Sequence, residues 1–230
     1  MSKLTKKMIN IRKKFNSLKE YKIDEAFSIL KKYSSSKFVE SVDVAINLSI
    51  DARKSDQNIK GVITFPNIVK KNTIIAVFTK GKNIEVSKNA GADFVGSNDL
   101  ANEIKNGQIK FNVVLATPDT IDIVNTLGKI LGPRGLMPSY KYGTINQNIE
   151  EAIKNVKNGQ KQYKNDKNGI IHISIGNVNF SKTQIKENLK FLLNLINQLK
   201  PIKIKGTYIK SIYLSTTMGI GLAIDQESIM

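Results

Sequence analysis

Residues 41 to 50 alternate. Val42, Val44, Ile46, Leu48 and Ile50 are apolar, and Ser41, Asp43, Ala45, Asn47 and Ser49 between them are polar or small. A two-residue period puts each set on its own face, so the stretch predicts a strand with one buried side. The polar run Asp51–Asn58 leads to a second apolar stretch, Ile59 to Phe65, expected as its hairpin partner. Upstream, Leu4, Met8, Ile11, Phe15 and Leu18 recur at helical spacing among Lys6, Lys7, Arg12, Lys13, Lys14 and Lys19. Asp24 is placed to cap a second, short helix with Ala26, Phe27, Leu30 and Tyr33 inward.

After Pro66-Asn67 the pattern changes. Ile74–Phe78 is a continuous apolar run, as a strand covered on both faces requires. A helical segment, the stretch Ala92–Gly96, another helix, a third apolar run at Val113–Ala116 and a helix from Asp119 to Leu127 follow. This β-α-β-α-β rhythm predicts a small parallel sheet between helices. A closing helix holds Ile149, Ala152, Ile153 and Val156. Beyond Gly159 alternation returns: Ile171, Ile173 and Ile175 share one strand face, with His172 and Ser174 on the other. Ser181-Lys-Thr-Gln184 has capping-box form before a helix burying Ile185, Leu189, Leu192, Ile196 and Leu199. Pro201 lies just past its end, and a last strand is expected from about Thr207 to Thr217.

Half-exposed strands therefore flank doubly covered ones. The expected fold class is α/β with two domains: a discontinuous α+β (split β-α-β) domain of residues 1–67 and 160–230, and an inserted Rossmann-like α/β domain over 68–159. Charge divides the same way. The 230 residues carry 36 Lys+Arg against 19 Asp+Glu, a net of +17. Residues 68–159 hold 12 basic and 8 acidic groups, so +13 of the excess lies in the flanks, most densely in the first 22 residues. Such a field attracts polyanions, either nucleic acid or an anionic membrane. Biased codon usage also makes lysine, with only Arg12, Arg53 and Arg134 as arginines, but does not explain the concentration. No apolar run approaches the roughly 18 residues of a membrane span. The start Met1–Lys7 resembles neither a signal nor a transit peptide, and the absence of cysteine excludes disulfides and thiolate metal sites.

Few residues suggest chemistry. The loop Gly132-Pro133-Arg134-Gly135-Leu136-Met137-Pro138 either offers backbone N–H groups and Arg134 to phosphate or is a turn whose glycines supply special backbone angles. It matches neither the Rossmann fingerprint nor the P-loop. His172, the single histidine, has no second His or Cys with which to bind a metal, and no catalytic triad is evident. Thr216-Thr217-Met218-Gly219 reads as an RNA contact or as a strand running into a turn. Lys37-Phe38 pairs a cation with a ring, as in a phosphate-and-base grip, or as a surface lysine beside a core phenylalanine.

From Ile130 to Pro138 the chain resembles the signature of the L-one stalk-protein family of the large ribosomal subunit, in its bacterial or organellar form. Ser36–Glu40, Asp51–Asn58, Ala90–Gly96, Ala116–Asp119, Asn165–Gly169 with His172, and Lys205–Thr207 through Thr216–Gly219 resemble family segments in family order. Ala52, Ser139-Tyr140 and the tail from Ile220 depart from the usual pattern. The resemblance implies a structural, non-enzymatic protein of the ribosome-associated cytoplasm, or an organelle, with no cofactor. It implies a terminal domain that grips large-subunit rRNA and its own operon mRNA, repressing translation. It also implies a mobile stalk within the large subunit that helps deacylated E-site tRNA leave. Carried over by position, the RNA-contacting residues are Lys37, Phe38, Lys167, His172, Ser211, Thr217, Met218 and Gly219. The rival class is an enzyme whose inserted domain binds a nucleotide at its switch point, for which Arg134 is present but no convincing base.

Overall fold

The computed structural model describes residues 8–9, 11, 15, 19–34, 37–68, 72–107, 109–201, 204 and 206–228. In chain order its strands and helices are β1 (Glu20–Tyr21), α1 (Ile23–Tyr33), β2 (Ser41–Leu48), β3 (Lys60–Ile63), β4 (Ile75–Phe78), α2 (Asn83–Asn89), β5 (Phe94–Gly96), α3 (Asn98–Lys105) and β6 (Val113–Ala116). There follow α4 (Ile121–Thr126), α5 (Gly128–Leu131), α6 (Ile149–Lys157), β7 (Lys161–Lys164), β8 (Ile170–Asn177), α7 (Lys182–Gln198), β9 (Ile209–Thr216) and β10 (Leu222–Ile224). The chain divides into two compact units: Met1–Lys60, Phe65–Val69 and Tyr163–Met230 form one, Gly61–Thr64 and Lys70–Gln162 the other.

The first unit is built on a five-stranded sheet in the order β1-β10-β9-β2-β8, with β2 antiparallel to both neighbours. Alternation decides its faces. Val42, Val44, Ile46 and Leu48 are buried beside Ile171, Ile173 and Ile175 on one side and Ile212 and Leu214 on the other. Ile23, Ala26, Phe27 and Leu30 of α1, and Ile185, Leu189, Leu192 and Ile196 of α7, supply the rest of this core. Ser181 caps α7 with the full reciprocal box: its side chain accepts from the Gln184 N–H, and the Gln184 side chain accepts from the Ser181 N–H.

In the second unit β5-β4-β6 form a parallel sheet. Successive residues of β4 face opposite clusters. Ala76 and Phe78 pack with Leu100, Ala101, Ile104, Val124, Leu127 and Leu131, whereas Ile75 and Val77 pack with Leu115, Ile149, Ala152, Ile153 and Val156. A strand buried on both sides has no polar face, hence the unbroken apolar run.

Several expectations needed correction. The stretch after Ile59 is not the hairpin partner of β2; β3 pairs with β7, because both edges of β2 are taken by β8 and β9. Asp24 does not cap α1: Lys22 holds the N-cap position without a side-chain bond, and Asp24 lies in the first turn. Leu199 is 46% exposed, since α7 stops at Gln198, and Tyr33 is only half-buried. The strand ending at Thr216 is not the last, as β10 follows it. The helix expected over 4–20 falls mostly outside the described residues.

Candidate nucleic-acid interface

The face of the five-stranded sheet opposite its core is left to solvent. Its rows follow from the register. Asn47 pairs with Ser211 and Ile170; Ala45 with Tyr213 and His172; Asp43 with Ser215 and Ser174; Ser41 with Asn177. Apart from Ile170, Ala45 and the ring of Tyr213 this face is polar, and it is half-exposed to exposed throughout. The six residue steps from Ser41 to Asn47 make it about 20 Å long.

Five of the family-matched residues gather at one end. Thr217 follows β9 beside the start of β2, where its N–H donates to the Ser41 carbonyl (3.2 Å). Its Oγ1 accepts the Ser41 N–H (3.1 Å) and lies 2.9 Å from the Ser41 hydroxyl. The Met218 N–H donates to Oε2 of buried Glu40 (3.4 Å), while the Met218 side chain is 60% exposed. Gly219 closes the turn on the Thr216 carbonyl, and a Cβ there would fall on Thr216 Oγ1. The turn of the chain itself therefore favours glycine at this position. Lys37 and Phe38 lead into β2, and Phe38 is 49% exposed instead of lying in a core.

Lys167 belongs to the other end. Asn165 is buried and accepts the Ile59 N–H while donating to Asn58 Oδ1 and the Asp166 carbonyl. Asp166 Oδ1 accepts the N–H groups of Asn168 and Ile170, both at 2.8 Å, which folds the turn that presents exposed Lys167. The Ile170 amide above all, then the Asn168 amide and nearby His172, hold the Asp166 carboxyl below its usual range. His172 Nε2 lies 3.8 Å from Asp166 Oδ2. His172 and Ser211 stand on the open face itself, in adjacent rows. The fold thus brings all eight candidates onto one unit. Tyr213, Asp43, Ala45 and Asn47 share the face but were not singled out from sequence; the alternation of 41–50 contained three of them, but not which strands would flank them.

The signature loop belongs to the other unit. After α5 the Leu136 N–H donates to the Leu131 carbonyl (3.0 Å), Gly135 takes φ +69°, and Leu136 and Met137 pack on the cluster around Phe78. Gly132 passes so close to the Gly128 carbonyl that a Cβ would lie 2.7 Å from it. Gly132, Gly135, Met137 and buried Pro138 are thereby structural, while Pro133 and Arg134 are exposed. A cavity of about 220 Å³ beside the loop is lined by Asn112, Val114, Leu136, Met137 and Tyr142 among others, and by no charged side chain. It adjoins the start of β6, away from the carboxyl ends of the strands where such sheets bind ligands. At those ends the Thr120 hydroxyl donates to the Phe78 carbonyl (2.9 Å). Among the described residues no cluster could hold a metal ion, and no helix is long and apolar enough to cross a membrane.

The model of the ribosomal protein L1p/L10e family matches residues 30–220. The chain is 53% identical over 229 residues to the large ribosomal subunit protein uL1 of Haemophilus influenzae (strain KW20 / Rd), covering 100% of both. It is 54% identical to the uL1 protein of Pasteurella multocida, again over 100% of both chains. To that of Vibrio parahaemolyticus it is 54% identical over 100% of this chain and 98% of the other. A family match across most of the sequence, with relatives alike from end to end, shows that the chain belongs to the ribosomal protein L1p/L10e family.

Proposed function

We propose that this protein is a structural constituent of the large ribosomal subunit that binds large-subunit rRNA through the open face and two ends of its five-stranded sheet. The observation that carries the reading is that eight family-matched residues, from two distant parts of the sequence, all border one polar, solvent-facing surface. Lysines there, Lys37 and Lys167, supply salt-dependent affinity through phosphate. Ser211, His172, Thr217, Met218 and Phe38 supply selectivity through sugar, base and shape contacts. Residues 1–67 and 160–230 are the rRNA-binding domain, and 68–159 an inserted domain with a separate role.

In the finer reading the protein and its rRNA form the mobile stalk near the exit site and assist release of deacylated tRNA. The same surface represses translation of the protein's own operon mRNA by binding a similar RNA fold. Binding of the full chain to a stalk-region rRNA fragment, against a scrambled RNA of equal length, tests the core of this. Selectivity should persist as salt rises, even as affinity falls by about 0.7–0.9 in log–log slope for each phosphate neutralised. Selectivity that vanishes with salt would mean a merely basic protein. A reporter carrying the operon leader, unresponsive to added protein, would remove the repressor role alone.

A further inference from the structure

The open face carries an exposed ring that the reading above does not use. Tyr213 on β9 and His172 on β8 both pair with Ala45, one from each side of β2, so the three stand in one row across the sheet. Tyr213 is 41% exposed and the His172 side chain 62%. Between these two walls the floor is only the methyl of Ala45. The Cα atoms of Tyr213 and His172 lie two strand spacings apart, about 9.6 Å. A flat group standing midway would meet each ring at about 4.8 Å, inside the roughly 4.5–7 Å range of aromatic packing.

Asp43 heads this slot. It is two residues from Ala45 on the same strand face, about 6.8 Å away, flanked by Ser174 and Ser215. Among the described residues its carboxylate has no hydrogen-bond or ion-pair partner. A carboxylate in the middle of the face of a +17 protein repels phosphate and accepts hydrogen bonds only. It therefore suits the base, not the backbone, of an RNA drawn in by the surrounding lysines. Of the four bases, guanine presents two adjacent donors, N1–H and the N2 amino group, and so matches both oxygens of one carboxylate. Adenine and cytosine set an acceptor beside their single amino group, and uracil sets its N3–H between two acceptors.

We propose that Tyr213, Ala45 and His172 form a stacking slot for one unpaired guanine of an RNA, with Asp43 receiving its Watson–Crick edge. The proposal rests on the reading that this sheet face binds RNA. Stacking supplies affinity and Asp43 supplies the choice of base.

The test uses the full chain and fluorescence anisotropy with short oligouridylates carrying one central G, A, C or U. The G oligomer should bind about 5- to 150-fold more tightly than the all-uridine oligomer, the span by which a bidentate contact to a base edge discriminates against the wrong base. Tyr213→Phe should keep that preference. Tyr213→Leu, which preserves an apolar cover without a flat ring, should lose it, with circular dichroism showing that the variant is folded. Asp43→Asn should bind G and A oligomers alike while still exceeding U. Equal binding of all four oligomers by the parent, or an unchanged preference in Tyr213→Leu, overturns the slot. A parallel titration with the stalk rRNA fragment separates the two ideas. If the parent binds that fragment selectively but shows no base preference, the slot falls and the RNA reading stands. If it shows no selectivity for the fragment, the RNA reading falls, and the oligomer result decides the slot on its own.

Discussion

Thr217→Val keeps β-branching and removes one hydroxyl, and the fold limits what that hydroxyl can do for RNA. It accepts the Ser41 N–H at 3.1 Å and lies 2.9 Å from the Ser41 hydroxyl. A threonine hydroxyl has one donor and two acceptor positions. Two of the three are engaged within the chain, so a single position remains for a partner. Each neutral bond contributes about 0.5–1.5 kcal/mol net, and exposed ones lie toward the low end because water replaces them. Stability should fall by about 1 kcal/mol, or about 2–4 °C in melting temperature for a chain of this size. Affinity for stalk rRNA should fall by about 2- to 13-fold, one bond's worth. Ser41→Ala is the control: it removes one of the two internal bonds and leaves the Thr217 position facing the RNA. Thermal melts and filter binding read both quantities. A folded Thr217→Val protein that binds like the parent would refute a contact by Thr217. Equal affinity losses in Thr217→Val and Ser41→Ala would mean that the hydroxyl works only by tying the two strand ends together.

Gly219→Ala should be destabilising by about 1–3 kcal/mol, since the new methyl falls on Thr216 Oγ1 in a packed strand end; an unchanged urea midpoint would contradict this. Asp166→Asn tests the turn that presents Lys167. The native carboxyl is held below its usual 3.8, so its stabilisation is present above that pH and lost as pH falls through the lower folded value. Parent and variant should therefore differ in stability at pH 7 and converge below pH 3.8, and a constant gap would sink the assignment. Burial, then Tyr163, pushes the Tyr208 phenol up to about 12. A raised value means stability present below pH 10 and lost between pH 10 and 12. Tyr208→Phe should reduce the alkaline loss, leaving the share of Tyr163, whose phenol burial also raises. Because the buried Tyr208 hydroxyl has no hydrogen-bond partner among the described residues, the variant should also gain about 1 kcal/mol at neutral pH. A Tyr208→Phe protein less stable than the parent would show that the hydroxyl is bonded after all.

Strong periodicity made most of the fold legible. The four apolar residues of α6, the capping box of α7 and the faces of β2 and β8 are as the spacing implies, because each burial pattern satisfies one period without competition. Pairing was not legible. Nearness along the chain suggested a 41–65 hairpin, yet β2 is a central strand whose two edges are filled by segments more than a hundred residues away. β7 was missed because Lys161-Gln-Tyr-Lys164 buries only Tyr163, too little pattern for any period. The open face suffered from the same limit. Alternation gave Asp43, Ala45 and Asn47 their side of β2, but only the register sets Tyr213 and His172 on either side of Ala45.

The Thr216–Gly219 stretch separates where a motif lies from how it works. Each of its groups answers first to the chain itself. Thr216 is buried, Thr217 is tied to Ser41, the Met218 N–H is held by Glu40, and Gly219 makes room for Thr216. What these bonds leave uncommitted is apolar: the Met218 side chain, and across the same sheet end Phe38 and Val39 at 49% and 56% exposure. A thioether and a ring held on a fixed backbone can cover the flat faces of unstacked bases, with the thioether adapting its shape. Selectivity at this end should therefore depend more on Met218 and Phe38 than on the threonine hydroxyl that draws the eye in the sequence.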